Sequence, residues 1–187
     1  MMNFKLPILL IGPMATGKST IADELSKQLE IPRIPMGRVR WYYYLKDGFS
    51  LEVESSLRTF TERMSYWEPF EVSAVRKITL EFPSSIIDFG AGHSYFPDET
   101  HFRSVQEHLS KIENIFLLLP CEDQAESLKI CNERLQEREG HELDEYQINA
   151  NHWFIEHPSN YLLAKHTIYT KNSTTTETAN QIIRLLK

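Results

Sequence analysis

The chain has 187 residues, 41% of them hydrophobic and 25% charged, and 26 acidic against 20 basic side chains give a net charge of −6. At about 150 residues per domain this is one globular domain. The acidic balance excludes a protein that coats nucleic acid or an anionic membrane by bulk charge, but leaves room for a local basic pocket.

Two cysteines, Cys121 and Cys131, are too few for a disulfide framework. No apolar run is long enough to cross a membrane. The expectation is a cytoplasmic protein with reduced thiols, a monomer or homodimer, with no nucleic-acid or membrane partner.

Residues 6–11 form an apolar run that reads as a buried strand rather than a signal peptide. A helix follows over 17–29, with Ile21, Ala22, Leu25 and Leu29 on one face. Residues 31–36 read as a weak second strand interrupted by Pro32 and Pro35. Residues 38–82 carry helical spacing, as in Val53, Leu57 and Phe60, and Gly48 and Pro69 are expected to break them into pieces.

Residues 84–89 read as a buried strand that carries Asp88 near its end. A helix is expected over 102–112, and Ser104 with Glu107 has the spacing of a capping box. A strand over 115–119 stops at Pro120, and a charged helix covers 122–137. The polar stretch 139–145 reads as a mobile loop, followed by helix over 145–156 and a helical turn over 161–165. The last strand is 167–170, and Thr174 with Glu177 has capping-box spacing before a final helix over 177–186. Strands alternating with helices predict an α/β fold, a parallel sheet with helices on both faces. No linker divides the chain, so 1–187 is read as a single domain.

One motif carries chemistry. Gly12-Pro13-Met14-Ala15-Thr16-Gly17-Lys18-Ser19 fits G-x-x-x-x-G-K-[ST] between a strand and a helix. The glycines let the backbone wrap phosphate oxygens, and the loop N–H groups and helix N-terminus face the anion. Lys18 supplies a point charge to the terminal phosphates, and Ser19 offers a hydroxyl to magnesium. A chance glycine turn containing Lys-Ser would not be expected in this strand-and-helix setting.

With Ile11 and Thr20 added, this loop closely resembles the phosphate loop of shikimate kinases. Ala179-Asn180-Gln181-Ile182-Ile183, after a strand ending at Thr170, resembles their tail. Phe89-Gly90-Ala91-Gly92 stands where they carry a triple glycine. The resemblance implies a three-layer P-loop kinase fold with a five-stranded parallel sheet, a helical substrate insert (38–82), a short lid (138–145), ATP and Mg2+. It also implies nucleotide contacts along 12–20, Thr20 included.

The departures are equally specific. Shikimate kinases carry acids just after the second strand, where this chain reads Ile34-Pro35-Met36-Gly37-Arg38. The middle glycine is Ala91, and His157 falls near the family's post-lid, carboxylate-gripping arginine. The loop chemistry carries over; shikimate as substrate does not.

The remaining roles go to scattered residues. Asp88 ends an apolar strand, where ligands gather in open α/β sheets, and is the candidate metal acid or base for an acceptor hydroxyl. Its plain reading is a turn cap. Gly90, Ala91 and Gly92 would admit substrate close to the backbone, or simply form a turn. Arg134 and Arg138, one helical turn apart, are candidates to stack on adenine and neutralise the transferred phosphate, the plain reading being a solvated face beside Glu133, Glu137 and Glu139. Arg38, with Arg40 and the aromatics 41–44, is a candidate for the acceptor pocket, and the resemblance adds Arg76, since shikimate kinases carry a substrate arginine in their helical insert; the plain reading is a helix facing the core.

The histidines lack the spacing of a helical zinc site. The expected activity is ATP-dependent phosphoryl transfer to a small-molecule hydroxyl. The alternatives are a nucleoside or nucleotide kinase, and a non-catalytic ATP-binding regulator.

Overall fold

The computed structural model describes residues 4–187. Five short strands, β1 (Ile8–Ile11), β2 (Arg33–Pro35), β3 (Ile86–Asp88), β4 (Asn114–Leu119) and β5 (His166–Tyr169), form one parallel sheet in the order β2-β3-β1-β4-β5. β1 lies at the centre, between β3 and β4. Its C-terminal end therefore opens on a crevice where the strand order reverses, the usual ligand position in such sheets. Gly12 follows β1 there, and Asp88 ends β3 beside it.

Alternation along β1 divides the core. Leu9 and Ile11 face one side with Ile87, under α2 (Met36–Lys46), α4 (Phe60–Glu81) and α5 (Glu99–Leu109). Ile8 and Leu10 face the other with Ile86, under α1 (Lys18–Leu29) and α9 (Thr175–Leu185). All four β1 side chains are fully buried, each worth about 1.5–3 kcal/mol of removed apolar surface. The helical insert also contains α3 (Leu51–Ser56). A 3-10 turn at Ala91–Ser94 follows β3, and α6 (Gln124–Glu139), α7 (Glu145–Glu156) and α8 (Ser159–Leu163) join β4 to β5.

Several boundaries differ from the sequence reading. Pro69 does not break the insert but lies inside the 22-residue α4. Tyr66, Trp67 and Phe70 flank it and pack on the core, and that burial outweighs one lost backbone hydrogen bond. The Ser104–Glu107 capping box is not formed. α5 begins earlier, on Asp98, whose carboxylate accepts the His101 N–H at 2.9 Å. α6 continues through Glu139 and stops at Gly140, whose φ of 74° is the left-handed helix terminus glycine favours. Arg138 thus belongs to a helical turn, and residues 140–144 alone connect α6 to α7.

Thr174 and Glu177 do form the expected reciprocal cap of α9. Thr174→Ala is expected to lower stability by about 1 kcal/mol, read as a shift in the urea midpoint without a change in slope.

Candidate active site

Residues 12–17 form the loop that turns from β1 into α1. Gly12 has φ 130°, and a Cβ there would lie 2.6 Å from the Leu118 carbonyl oxygen on β4. Gly12→Ala is expected to cost about 2 kcal/mol or more and to weaken nucleotide binding, measurable by denaturation and titration. The Thr16 hydroxyl donates to the Pro13 carbonyl at 3.2 Å and braces the loop. From α7, the fully buried Asn151 accepts the Met14 N–H at 2.9 Å and donates to Asn132 on α6 at 3.1 Å.

Lys18 is buried, and its ammonium donates to the carbonyls of Gly12, at 2.7 Å, and Pro13. Burial pulls its pKa down to about 8, partly opposed by Asp88. A desolvated ammonium held only by carbonyl dipoles is suited to an incoming polyanion, which would restore its charged form.

The Ser19 hydroxyl donates to Asp88 Oδ2 at 2.8 Å. The structure adds a partner that sequence reasoning missed. Arg33 on β2 grips Asp88 with both arms of its fork, Nε to Oδ1 and Nη2 to Oδ2 at 2.8 Å each, and its Nη1 reaches Asp23 at 2.7 Å. The carboxylate pair raises the Arg33 pKa further, chiefly through the hydrogen bond to Asp88. The register sets Pro35 beside Asp88 and Arg33 two residues back. Only strand pairing brings this cation to this acid.

A cavity of about 570 Å³ opens over the loop. Its lining includes residues 14–21, Gly90, Ala91, Arg134 and Arg138. Thr170, Ser173, Thr175 and Thr178 also line it. The phosphate loop, two of the three turn residues and both α6 arginines therefore share one space. Arg138 also donates to Glu139 Oε1 from Nε and Nη2, at 3.0 and 2.7 Å, in an exposed pair that is easily exchanged. Ser19 and Asp88 are the oxygen ligands at hand for a magnesium ion. Both Asp88 oxygens already serve Arg33, so contact through a metal-bound water fits this carboxylate better than direct ligation.

The acceptor candidates separate. Gly92 turns away from the cavity, and a Cβ on it would lie 2.1 Å from Glu71 Oε1 on α4. Arg38 is exposed in the first turn of α2, next to Gly37, which packs against Gly90. Arg76 stands apart. It lines a different cavity with Pro7, Lys111 and Ile112, at the opposite end of β1 from the loop, and donates to Ser104 at 3.5 Å.

Of the aromatics, Tyr43 and Tyr44 are buried, and Trp41 packs edge-on against Tyr44, Phe49 and Trp67. These contacts hold Trp41 and Tyr44 in one aromatic cluster, while Tyr42 is exposed. His157 meets Tyr95 edge-on, with its Nδ1 2.8 Å from the Ser159 hydroxyl. Burial lowers its pKa and favours the neutral ring.

Comparison with solved structures gives a consistent result. The chain superposes on a shikimate kinase from Acinetobacter baumannii solved with shikimate, with a TM-score of 0.69 at 16% identity over 98% of this chain and 93% of that one. The fold is that of the shikimate-kinase-like P-loop kinases. A gluconokinase from Sinorhizobium meliloti matches this P-loop kinase fold with a TM-score of 0.58 at 12% identity, covering 97% of this chain and 91% of that one. The YorR protein of Bacillus subtilis, solved with phosphorylated GDP, matches with a TM-score of 0.54 at 20% identity over 95% and 94%. No family model matches the sequence, and no curated protein matches it significantly. At these identities the likeness establishes the P-loop kinase fold alone. No described helix is long and apolar enough to cross a membrane.

Proposed function

We propose that the chain transfers the terminal phosphoryl group of ATP, bound with magnesium, to a hydroxyl of a small molecule. The observation that carries this reading is the single cavity holding the phosphate loop, Arg134, Arg138 and the turn after β3. Phosphoryl transfer calls for positioning and distributed positive charge more than for covalent chemistry.

Lys18 exchanges its loop carbonyls for the terminal phosphates. The loop N–H groups hold the phosphate oxygens, and Arg134 and Arg138 offer their forks from the opposite wall. Ser19 presents its hydroxyl toward the metal, and Asp88, fixed by Arg33, orients Ser19 and a metal-bound water. Magnesium bound with the triphosphate supplies charge neutralisation there. Because Asp88 is committed on both oxygens, positioning suits it better than accepting the acceptor's proton.

The test combines two measurements. Calorimetric titration with ATP, with and without magnesium, reads binding. Incubation with ATP and a mixture of hydroxylated metabolites, followed by mass spectrometry, reads any product that has gained a phosphoryl group. Magnesium-dependent binding with a phosphorylated product supports the proposal. Binding without a product in any mixture supports the regulator instead, and absence of ATP binding contradicts both.

A further inference from the structure

Resting on that reading, one group on α4 remains unexplained. Glu71 is 2% exposed, no hydrogen bond among the described residues uses its carboxylate, and the Arg40 guanidinium is the cation that acts on it. It lies against Gly92, at the turn whose other residues, Gly90 and Ala91, line the nucleotide cavity. A carboxyl buried without a partner costs stability and calls for a compensating role.

Three buried donors in the same insert are also unpartnered: Arg40 Nε, Arg63 Nε and Trp67 Nε1. The Arg40 guanidinium lies over the rings of Trp41 and Trp67, 4.9 and 4.7 Å from their centres. Arg63 lies 5.4 Å from the ring centre of Tyr146 on α7, and both line a cavity of about 460 Å³ between the starts of α4 and α7. Tyr146 in turn packs with Phe60, Met64, Tyr95, Ala91 and Met14, so this region adjoins the phosphate loop.

We infer that Arg40, Arg63, Trp67 and Glu71 bind the acceptor, and that it is an uncharged polyhydroxylated molecule, a sugar or cyclitol. Its hydroxyls accept from the unpartnered nitrogens, and one of them donates to the Glu71 carboxylate. The chemistry follows from what is unpaired. A hydroxyl accepts and donates at one oxygen, whereas a carboxylate only accepts and an ammonium only donates.

The charge balance agrees. Once a bound hydroxyl holds Glu71 ionised, Arg40 and Arg63 are matched by Glu68 and Glu71, and Glu68 already accepts the Asp98 N–H at 3.1 Å. His157, held neutral by burial, gives no grip on an acidic substrate. The other groups facing Glu71 are engaged or neutral. Tyr44 donates to His93 Nε2 at 3.2 Å, and His93, pushed down to about 3 by burial, donates from Nδ1 to the Gly90 carbonyl at 3.3 Å. Tyr95 and Tyr146 are phenols made less acidic by burial.

The free Glu71 carboxyl is pushed up to about 8 by burial. A donated hydroxyl favours its ionised form, so binding releases protons and strengthens as pH rises, levelling off above about 8.

The test uses the full chain with ATP and magnesium. The probes are glucose, ribose and myo-inositol, with glucosamine, gluconate and shikimate as charged counterparts, read by saturation-transfer NMR and phosphorylated product. An uncharged polyol should bind and accept phosphate. Glu71→Gln should weaken that binding about tenfold and flatten its pH dependence, with ATP affinity unchanged. Trp67→Phe, which removes one donor and keeps an aromatic ring, should weaken it less. Binding confined to the charged probes, absence of polyol binding, or a Glu71→Gln variant with unaltered affinity and pH profile would overturn the inference while leaving the nucleotide reading intact. Loss of ATP binding in the unaltered chain would instead strike the proposed function.

Discussion

Lys18→Ala is expected to lower phosphoryl transfer about 1,000-fold, equivalent to about 4 kcal/mol of transition-state stabilisation. Its stability should not fall with its activity. Lys18 is a buried cation whose charge is held at a cost, shown by a pKa drawn from 10.5 to about 8. Alanine removes that cost together with the two hydrogen bonds to loop carbonyls.

Between about pH 8 and 10.5 the unfolded chain keeps a proton on Lys18 that the folded chain has lost. Stability therefore gains from this group as pH rises through that window, and below it the full cost is present. At neutral pH the alanine variant should melt at or above the parent temperature. A calorimetric scan paired with a transfer assay checks both halves. A variant that loses activity only because it unfolds would contradict the account.

The second large effect belongs to Arg33. Arg33→Ala is expected to destabilise the fold by about 3 kcal/mol, because it leaves the Asp88 carboxylate buried without its cation. The Asp88 side chain is 6% exposed and that of Arg33 20%, so solvent compensates only in part. The figure accordingly sits at the low end for breaking a buried pair. Denaturant unfolding measures it. Arg33→Ala combined with Asp88→Asn should recover much of the loss, since the uncompensated charge is then gone. Full stability in Arg33→Ala alone would show that the pair does not anchor the end of β3.

These two residues mark what the sequence could and could not disclose. The strand, loop and helix around residues 12–19 were legible because the motif occupies eight consecutive residues, with strand and helix contiguous on either side. Asp88 was legible as an acid ending an apolar run. Arg33 was not, because its partnership depends on the register of β2 on β3, which no local pattern states. Asn151 reaches the loop from 137 positions away for the same reason.

Arg76 was assigned by analogy with the substrate arginine of shikimate kinases. The length of α4 carries it to the far end of the sheet, beside Pro7. Glu68 and Glu71 left a usable trace, as acids on a helix face shared with Ala74, Val75 and Ile78, all buried. An acid on a buried apolar helix face is the sign of something further. The capping boxes make the same point. Thr174–Glu177 forms, but Ser104–Glu107 has equal spacing and lies mid-helix, because Asp98 starts α5 a turn and a half earlier.

On the proposed function, the cavity over residues 14–21 holds a magnesium-bound triphosphate whose end faces the turn at 90–91. A crystal structure of the chain with magnesium and a non-hydrolysable ATP analogue tests it most directly. The expected result is phosphates wrapped by the loop, Lys18 turned from the Gly12 carbonyl onto the terminal phosphate, and magnesium beside the Ser19 hydroxyl. Adenine is expected between the α6 arginines and the wall at Thr170 and Ser173. A nucleotide bound elsewhere, or a Lys18 that keeps its carbonyl contacts with the triphosphate present, would contradict it.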